Sequence, residues 1–132
     1  MPSKNLWGDF GSAEAIRTPT TVLNEQASAL NVATKGVLRG KIEVESVRGE
    51  FQIVLSIVAP AINNYEFEVL QVSHGIELYP ATVVAAWERH SADTGEVECE
   101  NEDEFTRALA RILGSDRVRR VISSLIAQSR SK

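Results

Sequence analysis

His74 and His90 are the only histidines in this 132-residue chain, and His74 alone has useful company: Glu77 and Tyr79 follow closely. A general base must reach its proton across a single hydrogen bond. His74, Glu77 and Tyr79 around the His74-Gly75 turn are therefore the one constellation that could serve a small-molecule site or an enzyme. No second histidine or cysteine stands at a metal-ligand spacing from either imidazole, so no metal centre is expected. A histidine beside a glycine is also the ordinary end of a strand, and with so few supporting groups that reading is preferred.

Other reactive residue types give less. Cys99 sits between Glu98 and Glu100, which oppose a thiolate, so it reads as a small hydrophobe on an edge strand. Glu43 with Glu45 and Glu66 with Glu68 are carboxylate pairs two residues apart on strands; they share an outward face, and solvent exposure accounts for them. Gly36 to Lys41 spells G-x-x-x-G-K, one residue short of a phosphate-binding loop and running from helix into strand, the reverse of the order that such a loop needs. Asp9-Phe10-Gly11 matches a kinase magnesium motif in letters only. No cofactor is implied.

Charge is distributed unevenly. Residues 41 to 104 carry fourteen acids against three bases, whereas residues 105 to 132 carry seven bases against one acid. Arg107, Arg111, Arg117, Arg119 and Arg120 are the candidates for nucleic-acid phosphates. On an ideal helix, however, the last three fan across roughly 160°. No aromatic residue follows Phe105 to stack a base. Local pairing is the simpler expectation, Asp103 with Arg107 and Asp116 with Arg119 or Arg120. A net charge of −4 and a pI near 5.2 argue against the whole molecule being drawn to nucleic acid or anionic lipid.

The elements that must position these residues follow from periodicity. Residues 1–17 lack any period and read as a flexible arm, leaving residues 18–132 as a single α+β domain. Thr18-Pro19 starts a helix, with Leu23, Ala27 and Leu30 on one face and Gly36 at its end. Two-residue alternation then marks strands: Ile42 and Val44 between glutamates, Phe51 to Val58 apolar on both faces and so central and covered twice, and Tyr65 to Val72 with a parity slip at Leu70 that predicts either a bulge or a strand buried on both sides at that end. Arg48-Gly49 and Asn63-Asn64 supply turns. Ile76 to Trp87 reads as a fourth strand with Pro80 inside it, at an edge or kinked there, with a helix over 80–89 as the alternative. Ser91 to Gly95 is a loop, and Val97 with Cys99 a short edge strand. Asn101 with three acids behind it caps a helix that Gly114 stops, and Ser115 or Asp116 caps another. The fold class is thus α+β: one N-terminal helix, an antiparallel meander of four or five strands, and two C-terminal helices.

A single cysteine excludes a disulfide framework and points to a reducing compartment, the cytoplasm by default. The longest apolar run, Ile53 to Ile62, is interrupted and far below the roughly 18 residues of a membrane helix; with no leader signal visible, a soluble protein without a membrane partner is expected.

A meander places Glu43, Glu45, Glu66 and Glu68 around Val54, Ser56 and Val58, an apolar centre with an acidic rim. Such a face is covered by the chain's own basic helices, by a second copy, or by another protein. In size, acidity and its meander the chain resembles bacterial secretion chaperones and toxin-neutralising immunity proteins, a likeness that transfers no residues. The expected role is a small non-enzymatic protein-interaction module, chaperone-, immunity- or adaptor-like, that binds a protein partner or self-associates through that face. Nucleic-acid association through the arginine helices and a small-molecule or enzymatic site near His74 are the alternatives.

Overall fold

The computed structural model of the chain describes residues 4–88 and 95–131. A short 3-10 turn, Gly11–Ala15, interrupts the segment that the sequence reads as an arm, and α1 follows over Pro19–Ala33. The Thr18 hydroxyl accepts from the Thr21 amide at 3.0 Å, and proline at the first helical position loses no hydrogen bond. Thr34 closes the other end: its hydroxyl donates to the Leu30 carbonyl at 3.0 Å and accepts from the Leu38 amide at 3.1 Å, tying the helix to the strand that follows.

Five strands then form one antiparallel meander in chain order: β1 Arg39–Val47, β2 Glu50–Ala59, β3 Tyr65–His74, β4 Ala81–Ala85 and β5 Val97–Cys99. Arg48 and Gly49 both adopt positive φ, 52° and 82°, which a two-residue loop needs to match the twist of β1 and β2. Asn63 and Asn64, left-handed at 60° and 55°, start β3 after a 3-10 turn at Pro60–Ile62. The expected bulge is present. Leu55 pairs with Leu70 but Ser56 with Glu68, so Val69 is the extra residue, and Val69 and Leu70 are both buried.

The fourth strand is shorter than Ile76 to Trp87 and is not an edge. Pro80, after a cis Tyr79-Pro80 peptide, lies outside the ladder; it has no amide to donate, and pairing with β3 begins at Ala81. A 3-10 turn, Ala86–Glu88, ends the strand, which rules out a helix there, and β5 pairs on its far side. The expected loop from Ser91 to Gly95 lies, Gly95 apart, outside the described residues, as does His90.

Asn101 caps α2, Glu102–Leu113, by accepting from the Glu104 amide at 2.9 Å, while the Glu104 carboxylate accepts from the Glu100 amide at 2.8 Å. Ser115, rather than Asp116, caps α3, Asp116–Arg130. All three helices pack on one face of the sheet. Val22 and Leu23 from α1, Phe105, Leu109 and Ile112 from α2, and Val118 and Leu125 from α3 join Ile53, Leu55, Ile57, Leu70, Val72, Val83 and Cys99 in one apolar core. Burying an aliphatic side chain of this size is worth about 1.5–3 kcal/mol, so this layer is the main source of stability. Arg17 adds a clamp that periodicity does not show, reaching Glu25 on α1 at 2.6 Å and Glu102 on α2 at 3.0 Å.

Candidate partner-binding face

Side chains alternate across a strand, so the residues left out of the core share the opposite face. Pairing builds that face row by row: Glu43 on β1 lies beside Val54 on β2, which lies beside Gln71 on β3; Lys41, Ser56 and Glu68 form the next row; Arg39, Val58 and Glu66 the last. Among the described residues, no helix packs there. The basic helices occupy the other face and do not cover the acidic one, which removes the simplest of the three expected covers.

The seven expected face residues are therefore brought together, with two corrections. β2 is interior but is covered by helices on one face only, and Val58 is 2% exposed, too buried to meet a partner. Val54 and Ser56 remain half-buried between rows of polar side chains. The second correction is Lys41, which sequence reasoning left out of the rim. Its ammonium bonds Glu66 at 2.7 Å and Glu43 at 2.8 Å, bridging β1 and β3 across Ser56. Hydrogen bonds to Glu43 and then Glu66 hold Lys41 above the ordinary lysine range. Alternation along one strand and register between two put Lys41 on this face; the register was the missing signal. The rim keeps an acidic excess, with Glu43, Glu45, Glu66 and Glu68 against Arg39 and Lys41.

The His74 constellation reaches one place but not one function. A cleft of about 440 Å³ at the end of the sheet is lined by His74, Glu77 and Tyr79 together with Glu50, Ser73, Pro80 and Thr82. His74 is the last residue of β3 and is 7% exposed; its ring stacks on Phe51 with centroids 5.3 Å apart, and Nδ1 lies 2.8 Å from the Gly75 carbonyl. Ser73 and Thr82 alternate to the other face. No hydrogen bond joins His74 to Glu77 or Tyr79 among the described residues, and the Tyr79 ring packs edge-on to Phe105 with its hydroxyl buried and unbonded. A proton relay has no geometry here. Cys99 is fully buried, with Sγ 3.8 Å from the Val97 carbonyl; burial first and then Glu104 push its thiol pKa up, away from nucleophilic use. No group of three or more candidate ligands for a metal ion occurs among the described residues.

The arginines divide. Arg107 pairs with Asp103 at 2.6 Å, as the helical spacing predicts. Asp116 forms no such pair with Arg119 or Arg120 among the described residues. The Arg117 guanidinium lies 5.2 Å over the Trp87 ring, and Trp87 stacks on Phe67. Arg117 and Arg120 line a groove of about 450 Å³ with Tyr65 and Phe67, and Arg111 and Arg117 line a second beside Trp87. The aromatic partners that no linear reading found after Phe105 thus come from β3 and the turn behind β4. No protein-family model, curated protein or solved structure matches the chain.

Proposed function

We propose that the chain is a non-enzymatic protein-interaction module whose helix-free sheet face receives a basic segment of a partner protein. One observation carries this reading: all three helices pack on one side, leaving half-buried Val54 and Ser56 exposed to a partner between Glu43, Glu45, Glu66 and Glu68. An apolar strip gives contact area, and a charged rim sets approach and selectivity more than affinity. Lys41 sharpens that selectivity, since a partner cation must compete with it for Glu43 and Glu66.

The test is reversal of the β3 rim, Glu66→Lys with Glu68→Lys, read by pull-down from the native host and by circular dichroism. Loss of a specific protein with an unchanged spectrum supports the reading; the same proteins captured by both forms contradict it. The Arg117–Trp87 contact and the Tyr65 groove favour a second reading, an anionic ligand such as a nucleic-acid strand. Titration with labelled RNA and DNA at two salt concentrations separates the two: no binding at low salt removes the second reading.

A further inference from the structure

The two edges of the sheet are not alike. β5 is three residues long, one of the ways in which sheets protect an edge. β1 is nine residues long, pairs with β2 without a register break, contains no proline, and has no strand paired on its outer side among the described residues. It also carries large apolar side chains outward, Val44 at 51% exposure and Val47 at 37%. A long, regular edge of this kind templates another strand.

From this edge we infer that two copies of the chain pair β1 against β1, antiparallel about Ile42, to make a continuous ten-stranded sheet. The register comes from charge. A two-fold axis normal to the sheet keeps each face on its own side, so a residue meets one of the same parity and each register is named by the residue that meets itself. Centring on Lys41, Glu43 or Glu45 puts like charges in direct contact at the axis. Centring on Gly40 sets Arg39 against Lys41 twice, and centring on Val44 sets Glu43 against Glu45 twice. Centring on Ile42 alone sets Arg39 against Glu45 and Lys41 against Glu43, each twice, with no like pair.

The other face of β1 agrees. Ile42 meets Ile42, and exposed Val44 meets Gly40, over which Ala27 of α1 packs, so that Val44 would lie against the helix rather than against a β1 side chain. On α1, the flank turned away from α3 carries Asn24, Ser28 and Asn31, small polar side chains all exposed at helical spacing. The inference rests on the β1 edge, whose Arg39, Lys41, Glu43 and Glu45 also belong to the rim of the proposed partner face, but it does not require that face to bind a partner.

Arg39 and Glu45 test the register cleanly, because six residues of strand separate them by about 20 Å within one chain. Sedimentation of the full chain over a concentration series is expected to show a species of twice the 14.5 kDa chain mass. Arg39→Glu alone and Glu45→Arg alone each place two like-charge pairs in the interface and are expected to raise the dimer dissociation constant about tenfold. The double variant Arg39→Glu/Glu45→Arg restores dimerisation, which no contact within one chain can explain. A wild-type chain that stays monomeric, single variants that dimerise like wild type, or a double variant that fails to recover each overturn the inference. A dimer lost instead with Glu66→Lys/Glu68→Lys and unmoved by Arg39→Glu overturns it too, by assigning self-association to the face.

Discussion

Replacing Gly40 with alanine sets two opposed effects against each other. Glycine inside a strand is usually a weakness, so substitution by alanine should stabilise by about 0.5–1 kcal/mol. Gly40, however, is where α1 comes closest to β1: a Cβ built there meets the Ala27 Cα and Cβ at 2.5 Å and the Ala27 carbonyl at 3.2 Å. Carbon atoms pack at about 3.5–4 Å, so the helix must lift by roughly 1 Å or more, and part of that obstacle is backbone. Overpacking of this kind costs about 1–3 kcal/mol, and lifting α1 also loosens its contacts with Leu55 and Ile57. We expect Gly40→Ala to destabilise by about 2 kcal/mol in urea denaturation, with a fall in Tm of roughly 6–10 °C. Ala27→Gly should not rescue it, because the Ala27 Cα remains in the way. Gly75→Ala, with nothing near its added carbon, should stay within about 0.5 kcal/mol of wild type. A Gly40→Ala protein as stable as the parent refutes the close docking of α1 on β1.

Two further predictions concern the buried polar groups. Tyr79→Phe removes a buried hydroxyl without a partner and should leave stability unchanged or raise it by up to about 1 kcal/mol; a loss above that in thermal denaturation contradicts the unbonded hydroxyl. Burial raises the folded-state pKa of Cys99, so its contribution to stability is fully present below the unfolded thiol pKa, about 8.5, and is lost as pH rises toward the folded value. Cys99→Ala should therefore lose less stability than wild type between about pH 8 and 10, and equal losses count against a thiol held neutral by burial.

Local chemistry made most of the fold legible in the sequence. The caps at Thr18, Asn101 and Ser115, the Arg48-Gly49 turn and the slip at Leu70 each depend on a few neighbouring residues, and each is present. The fourth strand was drawn too long because Ile76 and Leu78 resemble strand residues, while the effect of Pro80 on pairing depends on where β3 lies. The acidic pairs on alternate positions showed the rim. Lys41 between them, and the meeting of Tyr65 and Trp87 with the arginines of α3, depend on register and packing across long separations, which periodicity does not encode. The question of which face the helices cover was likewise a matter of tertiary arrangement.

Photocrosslinking from the face itself tests the central claim most directly. A photoreactive amino acid at Val54, half-buried on the helix-free face, is compared with one at Ser123, exposed on α3, in the native host. The account predicts discrete protein adducts from position 54, lost when Glu66 and Glu68 are changed to lysine, and none of the same adducts from position 123. Adducts that arise only from position 123, or adducts at position 54 that survive the charge reversal, contradict it.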